Sequence, residues 1–119
     1  MNTKLKGAWG EELALKQYKK AGFKPVAMGY TTRFGEIDLI VENKNYIVFA
    51  EVKMRKSDNF AKAREFVDHG KIRRVRTTAE IWLGENETEK QPRFDVVEVY
   101  APDGIKTANP VVNIIEDAF

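Results

Sequence analysis

Asp38, Glu51 and Lys53 are the side chains whose types and spacing could do chemistry together. Gly35-Glu36-Ile37-Asp38-Leu39-Ile40-Val41 alternates with period two, which predicts a strand with Ile37, Leu39 and Val41 on one face and Glu36, Asp38 and Ile40 on the other. Tyr46-Ile47-Val48-Phe49-Ala50-Glu51-Val52-Lys53 is apolar on both faces until Glu51, the pattern of a central strand covered on both sides. Charge at the end of such a strand is costly unless it is paired or bound to a metal. A hairpin through the polar reversal Glu42-Asn43-Lys44-Asn45 would bring Asp38 and Glu51 close together. Two adjacent carboxylates repel unless a hard cation neutralises them, and Mg²⁺ takes oxygen ligands while keeping waters for chemistry. Lys53 beside them could hold a phosphate oxygen. The set points to metal-assisted phosphodiester hydrolysis; the alternative for the same residues is a solvated edge or a structural ion pair.

The surrounding elements must aim these groups. A helix is predicted from Thr3 to about Ala21, with Gly22 as its stop signal. Its arc of Gly7, Gly10, Ala14, Tyr18 and Ala21 contains Glu11, so Glu11 is expected to face the sheet as a third acid; the alternative is a Glu at the helix edge. The small residues of that arc permit a close approach. Phe23 to Tyr30 is expected as a first strand, placed at an edge by Pro25, and Gly35 suits a tight approach before the strand bearing Asp38. Arg55 to Phe60 is expected as a polar loop at the mouth of the site, and Phe60 to Val67 as a short helix. Ile72, Val75, Ala79, Trp82 and Leu83 mark an amphipathic helix over Lys71 to Leu83, capped by Asp68 and followed by Gly84. Lys71 shares the stripe of Val75, Thr78 and Trp82, whereas Arg73, Arg74 and Arg76 project elsewhere. Arg93 to Tyr100 is expected as a strand, Pro102-Asp103-Gly104 as a turn, and Val111 to Ile115 as a last strand or packing arm. This order describes one α/β sandwich rather than alternating βαβ units.

Composition closes several classes. The chain has 119 residues, the size of one compact domain, and no apolar run long enough to span a bilayer. Without cysteine there is no disulfide framework, thiolate chemistry or cysteine zinc site, which suits the cytoplasm. The start of the sequence lacks the apolar stretch of a secretory signal. One histidine, His69, cannot build a histidine metal cluster or a Ser-His-Asp triad. The net charge is only +2, yet from Lys53 to Arg76 nine basic residues face Asp58, Glu65 and Asp68 alone. That segment, with Arg55, Lys56, Lys71, Arg73, Arg74 and Arg76, reads as a phosphate footprint; the alternative is a solubilising helix face.

Gly7-x-x-Gly10-Glu11-x-x-Ala14, Gly35-Glu36-Ile37-Asp38-Leu39-Ile40, Phe49-Ala50-Glu51-Val52-Lys53-x-Arg55, Lys71 ahead of an amphipathic helix, Arg93-Phe94-Asp95-Val96-Val97 and Ile115-x-Asp117-Ala118-Phe119 together resemble the YraN-like family of small bacterial proteins, uncharacterised protein family 0102. That family is similar to the PD-(D/E)-x-K nuclease superfamily, which includes archaeal Holliday-junction resolvases. The resemblance implies a restriction-endonuclease-like three-layer sandwich, a central mixed β-sheet flanked by helices, over residues 1–119 as a single nuclease-like domain. It implies Asp38 and Glu51 as metal ligands together with Glu11 and the Val52 backbone carbonyl, Lys53 as catalytic lysine, and Mg²⁺ as cofactor with Mn²⁺ able to substitute. Ile37 stands where the superfamily name has proline, which points away from a restriction enzyme. The expected activity is an endodeoxyribonuclease acting on branched or damaged DNA through backbone and shape recognition, with a homodimer expected by analogy and no membrane or small-molecule cofactor. Two alternatives stand beside it: a non-catalytic nucleic-acid-binding or assembly module on the same fold, and an RNA processing nuclease.

Overall fold

The computed structural model of the chain describes residues 3–56 and 69–119. Helix α1 (Thr3–Lys20) leads into strand β1 (Lys24–Thr32), β2 (Gly35–Glu42) and β3 (Tyr46–Arg55); helix α2 (His69–Glu85), β4 (Gln91–Tyr100) and β5 (Val111–Ile115) follow. The short helix expected at Phe60 to Val67, the Asp68 cap and most of the expected polar loop lie outside the described residues. β3 runs on through Arg55, the first residue assigned to that loop.

The five strands form one sheet in the order β1-β2-β3-β4-β5. β1–β2, β2–β3 and β4–β5 are antiparallel, and β3–β4 is parallel, so the sheet is mixed. The parallel pair follows from the connection: α2 lies between β3 and β4 and carries the chain back across one face. Pro25 sits on the edge strand β1, where its missing N–H leaves a bulge between Pro25 and Ala27 rather than a broken central ladder.

Among the described residues, each face carries one α-helix. Ala14, Leu15 and Tyr18 of α1 pack with Leu39, Val41, Val48, Ala50, Val97 and Val99. Val75, Ala79 and Trp82 of α2 pack with Ile37, Ile40, Ile47 and Phe49. The result is an α/β/α three-layer sandwich of the restriction-endonuclease-like kind. α1 ends as Gly22 predicts: Gly22 has φ 92°, its N–H donates to the Lys19 carbonyl at 3.1 Å, and Phe23 N–H reaches the Tyr18 carbonyl at 3.0 Å. That paired closure satisfies two orphan carbonyls and aims the chain into β1. Gly84, expected just beyond α2, lies within its last turn instead.

Strict alternation fails at one point of β2. Ile37 was expected on the face of Leu39 and Val41, but it packs with Ile40 against α2. The physical cause lies at the neighbouring Asp38, where β2 separates from β3.

Candidate active site

The β2–β3 register runs from Glu42–Ile47 to Leu39–Ala50 and ends there. Beyond that point β2 stays paired to β1 down to Gly35, while β3 stays paired to β4 up to Arg55. Where another ladder bond would come, the Asp38 carboxylate takes over: its Oδ2 accepts the Val52 N–H at 2.8 Å. The side chain thus reaches sideways to the backbone of β3 and props the strands apart. A strand residue presents its N–H and C=O on the same edge, so the Val52 carbonyl faces the same opening. The opening is a cavity of about 280 Å³ lined by Gly35, Glu36 and Asp38 from β2, Glu51, Val52 and Lys53 from β3, and Lys71, Arg74 and Val75 from α2.

Two close approaches seat the helices on the sheet around it. Gly10 of α1 lies so near β3 that an added Cβ would meet Met54 Sδ at 2.6 Å and Val52 Cγ1 at 3.6 Å. Gly35 (φ 153°) lies against α2, where a Cβ would meet Thr78 Oγ1 at 3.2 Å and Arg74 Cβ at 3.3 Å. Small residues at both places let the helices close on the sheet ends that carry the charges.

Glu51 is 4 % exposed, and its Oε2 lies 3.2 Å from Lys71 Nζ. Burial, then the charge of Asp38, push its pKa up to about 7 against the opposing pull of Lys71 and Lys53. Burial and the neighbouring Lys71 bring Lys53 down to about 8. Burial also pulls on Lys71, but its hydrogen bond to Lys53 and the charge of Glu51 outweigh that and raise it. Lys71 therefore keeps the proton while Lys53, half-buried beside it, gives its own up more readily.

Glu11 stands outside the lining of the cavity but within its field. Burial comes first, then Asp38, Glu36 and Glu51, in pushing its pKa up to about 7. Among the described residues, no group of three or more His, Cys, Asp or Glu side chains is arranged to hold a metal ion. The donors that do meet are two carboxylates and a backbone carbonyl edge. That set fits Mg²⁺, which takes one or two carboxylates plus water and substrate oxygens rather than an all-protein cage. Burial is the first cause of the upward shifts of Glu51 and Glu11, and the charge of Asp38 adds to it in both.

The basic residues are dispersed. Lys71 faces the cavity, and so does Arg74, which sequence reasoning placed with the outward-projecting arginines. Arg73 is exposed, Arg76 lies with its guanidinium 4.7 Å from the Phe94 ring centroid, and Lys56 is exposed at the end of the first described segment. Arg55 Nε is 3.5 Å from Glu98 Oε2, and Glu98 also accepts the Tyr100 hydroxyl at 3.0 Å. Glu98 stands beside Lys53 in the β3–β4 register, so this buried group backs the site. On the α1 side, the fully buried Asp95 accepts two bonds from Arg93 (3.0 and 2.9 Å), the Tyr18 hydroxyl (2.7 Å) and the Asp117 N–H (3.0 Å). Arg93, Asp95 and Glu98 are signalled in the sequence only as charges that interrupt a Val-rich strand, and their partners appear once the elements are packed.

The sequence matches the family model described as Uncharacterised protein family UPF0102 over residues 10–99. It is similar to a UPF0102 protein of Syntrophomonas wolfei, 38% identical over 119 residues covering 95% of this chain and 98% of that one. A UPF0102 protein of Caldanaerobacter subterraneus is 41% identical over 101 residues, 84% of this chain and 83% of its own length. One from Nocardia farcinica is 38% identical over 114 residues, with 95% and 87% coverage. No helix among the described residues is long and apolar enough to cross a membrane.

Proposed function

Since the chain belongs to uncharacterised protein family UPF0102, whose description names no activity, we propose from its site chemistry that it is a metal-dependent endonuclease hydrolysing phosphodiester bonds in structured or damaged DNA. The observation that carries this reading is the gap between β2 and β3, where Asp38, Glu51, the Val52 backbone and Lys53 share one cavity. Asp38, Glu51 and the Val52 carbonyl would hold Mg²⁺ or Mn²⁺, with Glu11 at its outer field. When bound, such an ion polarises a phosphate oxygen and lowers the pKa of a water.

The chain supplies the rest. Lys53, in its protonated form, places a positive charge beside the carboxylates, where negative charge develops on the phosphoryl oxygens. Lys71 and Arg74 line the same cavity and extend that field along a phosphate backbone. Asp38 keeps its own geometry through Val52 N–H, so the strand that carries Lys53 and the strand that carries the acid hold one spacing.

A second reading, a nucleic-acid-binding or assembly module without catalysis, draws on the Glu51–Lys71 pair, because it gives Glu51 a cation from the chain itself. Incubation with Mg²⁺ or Mn²⁺ and duplex, single-stranded, flap and four-way DNA separates the two. Cleavage lost by about a hundredfold or more in Asp38→Ala, Glu51→Ala and Lys53→Ala, with binding retained, is the expected result. Binding without cleavage favours the module, and cleavage confined to the same panel made of RNA favours an RNA processing nuclease.

A further inference from the structure

The turn between β1 and β2 carries a ring that the hydrolytic reading leaves unused. Phe34 is 45% exposed, and among the described residues every other aromatic side chain is buried or half-buried. Its turn is held in place: Phe34 N–H donates to Thr32 Oγ1 at 3.1 Å, and that hydroxyl donates to the Gly35 carbonyl at 3.3 Å. The Arg33 guanidinium carbon lies 4.8 Å from the ring centroid. The ring also lines a cavity of about 200 Å³ together with Gly70, Arg73, Arg74 and Thr77 of α2.

Arg74 is the link, because it lines this cavity and the one holding Asp38 and Glu51. Gly35, the next residue after Phe34, makes the close approach to Arg74 described above. The two cavities therefore adjoin. One presents acids and amines suited to a phosphate; the other presents an aromatic ring with Arg73 and Arg74, and Arg33 lies against that ring. A ring for stacking with guanidinium groups around it matches a nucleobase and its flanking phosphates, since every base has a π-face and arginine stacks on it as well. At about 200 Å³ the pocket lies below the size of drug-like ligand sites and suits a single flat heterocycle. A base within a duplex reaches such a pocket only by leaving its stack, which is least costly where it is already unpaired.

We infer that Phe34, with Arg33, Arg73 and Arg74, forms a stacking subsite for one unpaired nucleobase next to the phosphate to be cut. The inference rests on the hydrolase reading for its orientation, and it narrows the substrate class to nucleic acid with an unpaired nucleotide at the scissile position. An intact duplex offers the phosphate but nothing for Phe34.

The test is binding in EDTA, followed by fluorescence anisotropy, to three labelled DNA duplexes: fully paired, carrying one unpaired adenine, and carrying an abasic site in place of that adenine. The wild-type protein is expected to bind the unpaired-adenine duplex about five- to one-hundredfold more tightly than the abasic one. Phe34→Leu, which keeps apolar bulk without a ring, is expected to bind the two alike, and Phe34→Trp to keep the preference, with melting temperatures unchanged for both variants. No preference in the wild-type protein, or a preference that survives Phe34→Leu, overturns the subsite. Preference in EDTA without cleavage in Mg²⁺ leaves the subsite standing and removes the hydrolase reading. Cleavage with no Phe34-dependent preference does the reverse.

Discussion

Loading the site with a divalent cation should expel protons. Glu51 and Glu11 both have pKa values pushed up to about 7, by burial first and by neighbouring carboxylates next, so near neutral pH each is about half protonated. Carboxylates bind a hard cation only when ionised, so their protons leave as it binds. If both acids join in, Mg²⁺ binding at pH 7 releases about one proton, and lowering the pH to 6 weakens binding about thirtyfold. If Glu51 alone joins in, the release is about half a proton and the weakening about fivefold. Isothermal titration calorimetry of Mg²⁺ into the protein, repeated in buffers of different ionisation enthalpy, reads the proton count directly and needs no substrate. Glu11→Gln separates the cases: it is expected to halve the release if Glu11 shares the ion. Mg²⁺ binding at pH 7 with no proton release in any buffer would refute the placement of these carboxyls at the ion.

For the metal-free protein, the raised pKa values of Glu11 and Glu51 mean that the folded state holds protons the unfolded chain has lost. That stability is present below the ordinary carboxyl pKa and disappears as the pH rises through about 7, so the melting temperature should fall from pH 5 to pH 7.5, and Mg²⁺ should flatten the trend. Asp95→Ala strips the acceptor from Arg93, Tyr18 and the Asp117 N–H in a fully buried place, so urea unfolding should show a loss of about 3–5 kcal/mol; a loss under about 1 kcal/mol would contradict the network. Gly35→Val puts a branched side chain where φ is 153° and where Thr78 and Arg74 already lie within 3.3 Å of a Cβ, and should push α2 away from β2. Its signature is lower stability together with weaker Mg²⁺ binding; unchanged values of both would show that the wall is not tight.

Much of the architecture was legible because it is written in short-range patterns. The apolar run Tyr46 to Ala50 marks a strand covered on both sides, the 3.6-residue stripe through Val75, Ala79 and Trp82 marks α2, and Gly22 stops α1. The hairpin reversal after Glu42 sets Leu39 opposite Ala50, and so brings Asp38 and Glu51 to one cavity. Tertiary structure decided the rest. The parallel β3–β4 pairing depends on where α2 carries the chain, and the sequence of β4 alone does not encode its neighbour. Ile37 turns to the α2 face because Asp38 replaces a ladder bond with a side-chain bond to Val52, an event visible only when both strands are in place. Lys71 meets Glu51 twenty residues away, and Tyr18 meets Asp95 across 77 positions. Hydrophobic period and turn chemistry are properties of a few consecutive residues; the partner of a buried charge is chosen by packing between elements distant in the chain, and that choice shifts the protonation of Glu51, Lys53 and Lys71.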